Sequence, residues 1–249
     1  MKTVSVAVVG GGAAGLAAAV GAGRAGGTVA ICERMPRLGR KLLATGGGRC
    51  NLLNDKLDAS AFTPECRDLV RSALGRFGTA EIRALLEGLG LALTAEGDRI
   101  FPATQQAASV LKAFEIELRR LAVDIRLSWD VRNISWKNGS FVLESRDGSV
   151  LAAERVVLSG GGKSYPALGA DGSAYGLARA FGHGLVEPIP SAVPVVVKDK
   201  LCHVLQGQKM RVRAASVLGG RRAEEADGEI LFASYGLSGT AVLDVSESL

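Results

Sequence analysis

The stretch Val4-Ser5-Val6-Ala7-Val8-Val9-Gly10-Gly11-Gly12-Ala13-Ala14-Gly15-Leu16 decides the fold. Val4 to Val9 is an apolar, largely β-branched run, which suits the central strand of a parallel sheet covered on both faces. Gly10, Gly12 and Gly15 follow with G-x-G-x-x-G spacing, and Ala13 to Gly26 reads as a helix whose small side chains allow close packing on the sheet. Gly10 permits the sharp turn, Gly12 lets main chain approach a pyrophosphate, and Gly15 lets helix meet strand. The free N–H groups at the helix start then favour an anion. Thr28 to Cys32 reads as the second strand of a βαβ unit, ending at Glu33, whose carboxylate can accept from a ribose diol. A dinucleotide without a 2′-phosphate is the expected ligand.

Working outward, Arg34 to Asn54 is Gly-rich and basic without apolar periodicity, and is expected to be an ordered functional loop. Pro64 to Gly90 predicts a helix in two pieces, and Gln105 to Leu121 another amphipathic helix. Segments Val123–Leu127, Val131–Lys137, Ser140–Arg146 and Ser149–Leu151 alternate around Asn138-Gly139 and Asp147-Gly148, predicting an antiparallel meander. A further buried strand is expected at Val156–Leu158, then a glycine turn at Gly160-Gly161-Gly162 and a short helix over Asp171–Phe181. From about Pro188 the texture becomes Val-rich, with strands expected at Ala192–Val197, Met210–Leu218 and Glu229–Phe232, and a helix beginning after Leu237.

Composition bounds the rest. With 249 residues, 47% hydrophobic and 22% charged, the chain is long enough for one large α/β domain with a smaller lobe and is not disordered. Four cysteines without a Cys-x-x-Cys pair suit a reducing cytoplasm, and two histidines without ligand spacing suggest no metal site. Thr3 to Gly23 is uncharged, but six glycines and many alanines argue against a membrane span or signal peptide.

Four blocks carry a family resemblance: Glu33 to Asn51, with Arg40-Lys41 and Thr45-Gly46-Gly47-Gly48-Arg49-Cys50-Asn51; Ile100-Phe101-Pro102-Ala103-Thr104-Gln105-Gln106-Ala107; Gly161-Gly162-Lys163-Ser164-Tyr165-Pro166 with Asp171-Gly172-Ser173; and Gly228 to Phe232 with Tyr235 to Gly239. In these the chain resembles the YhiN-like, or HI0933-like, FAD-dependent flavoproteins. The resemblance implies an α/β chain with a glutathione-reductase-like, Rossmann-type FAD-binding domain over residues 1–190, a helical insertion at about 56–121, an antiparallel meander, and the incomplete start of a β-rich second domain over 191–249. It implies a flavin-dependent oxidoreductase, with NAD(P)H as co-substrate and a small organic substrate; some relatives are reductases of a 3-oxo bile acid.

Carried over onto this sequence, Gly10, Gly12, Ala14 and Gly15 would meet the FAD pyrophosphate and Glu33 the adenosine ribose. Arg34, Arg40 and Lys41 would lie beside the phosphates, Gly46, Gly47, Arg49, Cys50 and Asn51 would approach the flavin and ribityl chain, and Gly161 with Gly162 would form a further contact turn. Cys50 is expected to be a structural thiol, having no second cysteine nearby. No catalytic acid is assigned; Lys163 and Tyr165 are candidates that equally suit ordinary loop packing.

Two departures stand out. Ser159-Gly160-Gly161 replaces an expected Ala-Thr-Gly, and Thr240 replaces an expected Pro. Family chains also continue past the position of Leu249, so a fragment that binds the dinucleotide without catalysing is the second reading. RNA contact, a third, calls for a basic stripe with interleaved aromatics; aromatic content is 5% and no such stripe is evident, so no nucleic-acid partner is expected. The net charge of +5 maps to Arg34, Arg37, Arg40, Lys41 and Arg49, which points to a local anion site.

Overall fold

The computed structural model describes residues 3–249, and the chain divides at Leu185/Val186 into two compact units. In the first, β1 (Thr3–Val9), α1 (Ala13–Arg24) and β2 (Val29–Cys32) form the expected βαβ unit. Then come α2 (Arg40–Ala44), β3 (Leu53–Asn54), α3 (Arg67–Arg76), α4 (Thr79–Glu87), a hairpin of β4 (Leu93–Glu96) and β5 (Arg99–Pro102), and α5 (Ala107–Arg120). The unit closes with β6 (Asp124–Arg126), β7 (Val131–Lys137), β8 (Ser140–Ser145), β9 (Val150–Leu158) and α6 (Ser173–Arg179).

Six strands make one sheet in the order β6-β2-β1-β9-β8-β7. β1 lies between β2 and β9 and is parallel to both, with Val8 opposite Ile31 on one side and Val157 on the other. Its side chains feed two cores. Val6 and Val8 pack with Leu16, Val20, Ile31, Val110 and Leu118 on one face, while Ala7 and Val9 pack with Cys32, Trp129, Leu143, Leu151 and Leu177 on the other. Leu16, Ile31 and Leu118 are fully buried, each contributing about 1.5–3 kcal/mol relative to exposure. α5 shares the first core with α1, and Gly23 of α1 lies against Leu121.

Three expectations are corrected. Val123–Leu127 does not open the meander: β6 pairs parallel with β2, Ile125 beside Ile31. Ser149–Leu151 and Val156–Leu158 are one strand, β9, antiparallel to β8 over Val150–Ala153 and parallel to β1 over Ala152–Leu158. The Arg34–Asn54 segment is not wholly loop, since it contains α2, whose preceding residue Gly39 has φ +66 and is packed against Leu111.

The second unit, Val186–Leu249, holds β10 (Val195–Val196), α7 (Leu201–Val204), β11 (Lys209–Leu218), β12 (Arg221–Ala233), β13 (Gly236–Ser238) and α8 (Thr240–Ser246). Its sheet runs β10-β13-β12-β11. α8 buries Ala241, Val242 and Val245. Thr240, in place of the expected Pro, accepts a hydrogen bond from Glu229 N–H through its Oγ1 at 3.0 Å. Among the described residues no helix is long and apolar enough to cross a membrane.

Candidate functional site

Three parallel strands end side by side. β1 runs into Gly10, β2 into Glu33 and β9 into Ser159-Gly160-Gly161. Because β2 and β9 lie on opposite sides of β1, a crevice opens at their carboxyl ends, the place where open α/β sheets bind ligands. A cleft that is partly open to solvent occupies it.

The glycines of the turn differ in what the protein itself demands. A Cβ at Gly10 would sit 2.6 Å from the Ser159 carbonyl oxygen, and φ there is +101. At Gly15 it would sit 1.8 Å from the Gly10 carbonyl oxygen, so α1 packs directly on the turn. At Gly12 it would meet nothing within 4 Å, and φ is −79. No contact within the chain therefore requires glycine at position 12. Gly12 is also the N-cap of α1, with no side-chain cap and no acidic residue in the first turn, which leaves the helix-start N–H groups open to an anion.

Glu33 is 8% exposed. Its Oε2 accepts from Gly11 N–H at 2.6 Å and its Oε1 from Met35 N–H at 2.7 Å. Each oxygen has a second lone pair for another donor. The Ser159 hydroxyl donates to the Val9 carbonyl at 2.9 Å and lies 3.0 Å from that of Gly10, tying β9 to the turn one residue before the missing Thr. A Cβ at Gly160 would stand 2.7 Å from Ala174 Cβ, so this packing has no room for that Thr.

The five excess cations separate into two kinds. Arg34 donates to Asp171 at 2.6 Å and Ser173 at 3.1 Å, with Asp130 at 3.8 Å. Its pKa is raised, mainly by the bond to Asp171. Burial alone would raise the Asp171 carboxyl; the Ser173 hydroxyl and N–H, with Arg34, bring it down to about 2. Arg49 pairs with Glu96, donates to Gln105 at 2.8 Å and stacks 4.3 Å above the Phe101 ring. Arg37, Arg40 and Lys41 line the cleft with no acidic partner among the described residues, Lys41 donating to Ser164 at 3.0 Å.

Of the residues singled out from sequence, Gly10, Gly12, Glu33, Arg34, Arg40, Lys41 and Gly161 share this cleft. Ala14 and Gly15 stand on α1 outside the lining, and Gly162 faces the Tyr175 hydroxyl. Gly46, Gly47, Arg49, Cys50 and Asn51 do not line it. Gly46 and Gly47 have φ of +56 and +64, while Cys50 and Asn51 border a second, apolar cavity beside α1. Cys50 is buried at φ +63, and burial pushes its thiol pKa up, which favours the unreactive thiol.

Sequence reasoning missed Trp129, Asp130 and the Leu168–Ala170 turn, all of which line the cleft. Trp129 N–H donates to the Glu33 carbonyl at 2.9 Å. The available signal was a tryptophan just past a short strand, legible only once β6 is paired with β2.

Among proteins of known activity, the chain is 38% identical over 98% of its length to a 3-dehydro-bile acid delta(4,6)-reductase of Clostridium scindens, covering 60% of that protein. It is 29% identical over 99% of its length to the ribosomal RNA dihydrouridine synthase of Escherichia coli, covering 61% of it. The chain thus spans about 60% of the length of these relatives. Among solved structures, it matches the open conformation of a flavocytochrome c3 fumarate reductase with TM-score 0.53 and 19% identity, over 84% of this chain and 47% of that one. It also matches the 3-ketosteroid-delta4-(5alpha)-dehydrogenase of Rhodococcus jostii RHA1 with TM-score 0.51 and 20% identity, over 66% and 47%. The fold is of the Rossmann type. Residues 4–241 match the family described as HI0933-like protein Rossmann domain, and the chain belongs to that family.

Proposed function

We propose that this chain is the dinucleotide-binding part of an FAD-dependent oxidoreductase that exchanges hydride with NAD(P)H and a small organic substrate. The observation that carries the reading is Gly12: an uncapped helix start, free of acidic residues, opens on a cleft at a glycine the protein does not itself need. The residues present fit the cofactor. The N–H groups of Gly12, Ala13 and Ala14 would hold the pyrophosphate, Arg37, Arg40 and Lys41 would offset its charge, and Glu33 would accept from the ribose. Gly161 completes the cleft wall. Gly46 and Gly47 would take the ribityl and flavin end, while Arg34 and Arg49 hold the walls in place through their ion pairs.

The substrate class follows from the relatives' names. A 3-dehydro bile acid with delta(4,6) unsaturation and a uridine each carry a C=C bond conjugated to a carbonyl, and each named reaction adds two hydrogens across it. We infer the same class here: a hydride, whose electron pair comes from NAD(P)H, would add to the β carbon and a proton from solvent to the α carbon. Reduced flavin, when bound, would supply that hydride, a transfer that needs no protein base. The expectation of no nucleic-acid partner has no support among the relatives, two of which are named ribosomal RNA dihydrouridine synthases. Titration of the purified chain with FAD, followed by anaerobic NADH or NADPH, tests the reading. Saturable quenching of flavin fluorescence and then bleaching of the visible bands are expected; no quenching up to about 1 mM FAD, the upper end of ordinary KM values, overturns it.

A further inference from the structure

The cleft is not the only space beside α1. A second cavity, of about 240 Å³ and open to solvent at its lip, lies where α1, α4 and α5 converge on the loop after α2. Ala17, Leu85, Val110 and Phe114 are among its walls. Protein interiors tolerate few voids larger than a water molecule, and ordered water needs two to four polar partners. This cavity offers few. The Thr45 hydroxyl is already committed to the Leu42 carbonyl at 2.6 Å, and burial keeps the Cys50 thiol protonated. The remaining polar side chain is Asn51, exposed at the lip and without a hydrogen-bond partner among the described residues.

Such a lining selects its occupant. The pyrimidine edge of a flavin needs several donors and acceptors, which these walls lack, so the ring system of the cofactor does not suit the interior. A compact hydrocarbon body with one carbonyl or hydroxyl suits it: the body displaces poorly held water and the polar end meets the Asn51 amide. The position is also informative. Gly12 lines the dinucleotide cleft and Ala13, the next residue, lines this cavity, so the two spaces flank the first turn of α1. The backbone strain at Cys50, φ +63 on a cavity-lining residue, is of the kind that accumulates at ligand sites.

We infer that the cavity between α1, α4 and α5 holds the fused-ring hydrocarbon body of the substrate, an inference that rests on the flavoenzyme reading above. The test uses the intact chain with labelled Ile, Leu and Val methyl groups, titrated separately with progesterone, a fused-ring enone, and with FAD. Saturable NMR shifts are expected at the methyls of Ile82, Leu85, Leu86 and Val110. Leu85→Trp, which fills the space, should weaken progesterone binding at least tenfold and leave FAD affinity unchanged; the smaller Ile82→Phe serves the same purpose should the first variant fold poorly. Absence of shifts at these methyls up to the solubility limit, or undiminished shifts in the filled variants, overturns the inference. FAD binding without methyl shifts refutes the cavity assignment alone, whereas methyl shifts without FAD binding uphold it and refute the cofactor reading.

Discussion

Glu33 at the end of β2 accepts the N–H of Gly11 in the β1–α1 turn at 2.6 Å, so the acid that would meet the ribose also holds the phosphate turn in shape. The two tasks separate experimentally. Glu33→Ala removes both acceptors and leaves the N–H groups of Gly11 and Met35 unpaired, at about 1–3 kcal/mol for each one that stays buried. The expected outcome is a lower melting temperature together with at least tenfold weaker FAD binding. Unchanged FAD affinity would remove Glu33 from the site.

Arg49 ties the loop after α2 to the β4–β5 hairpin and to Gln105. Arg49→Lys keeps the charge but not the fork that reaches Glu96 and Gln105 while stacking on Phe101. It should destabilise the chain by about 1 kcal/mol and leave the FAD affinity of the folded fraction within about twofold. Thermal denaturation and fluorescence titration on the same sample give the two numbers.

Glu117, nearly buried on α5, receives Arg24 at 2.7 Å and Arg120 at 2.7 Å. Arg120 chiefly, then Arg24, depress its pKa to about 2. A depressed folded-state pKa stabilises above the unfolded value, near 4.5, and that stabilisation is lost as pH falls toward 2. With both arginines partly solvated, about 1–2 kcal/mol is at stake. Glu117→Gln should lower urea-unfolding stability at pH 7 and flatten its decline between pH 5 and 3. A variant that declines as steeply as the parent would show that other carboxylates govern acid stability.

The four cysteines should react in a fixed order. Cys66 is partly exposed, whereas Cys32, Cys50 and Cys202 are buried, and burial raises Cys32 to about 12 and Cys50 above its ordinary value. At pH 7.5 iodoacetamide should label Cys66 alone until the chain unfolds. Mass spectrometry of the labelled peptides reports the order, and fast labelling of Cys50 would revive a redox role for it.

The glycine turn, its flanking strand and helix, and the acid that follows were legible because their signals are local and each has one steric meaning. The corrections share a different cause. α2 is too short to show a period, and β6 has three residues whose partner strand is about ninety positions away. β9 looked like two strands because Glu154 and Arg155 are exposed just past the last residue paired with β8, which breaks the apolar pattern inside a continuous strand. Arg34 and Arg49 were counted in the local anion site as unpaired charge; their partners Asp171 and Glu96 lie 137 and 47 residues away, and only the folded chain brings them together. Of the five, Arg37, Arg40 and Lys41 are left at the cleft with no acidic partner among the described residues.

Gly12 tests the central claim most directly. Gly12→Ala meets open space at φ −79, so the fold should lose no more than about 1 kcal/mol, the scale of an N-cap change. Gly15→Ala, 1.8 Å from the Gly10 carbonyl oxygen, should instead unfold or strongly destabilise the chain. The account predicts a Gly12→Ala protein with a nearly unchanged melting temperature and at least tenfold weaker FAD binding by fluorescence titration. FAD affinity equal to that of the parent would contradict it.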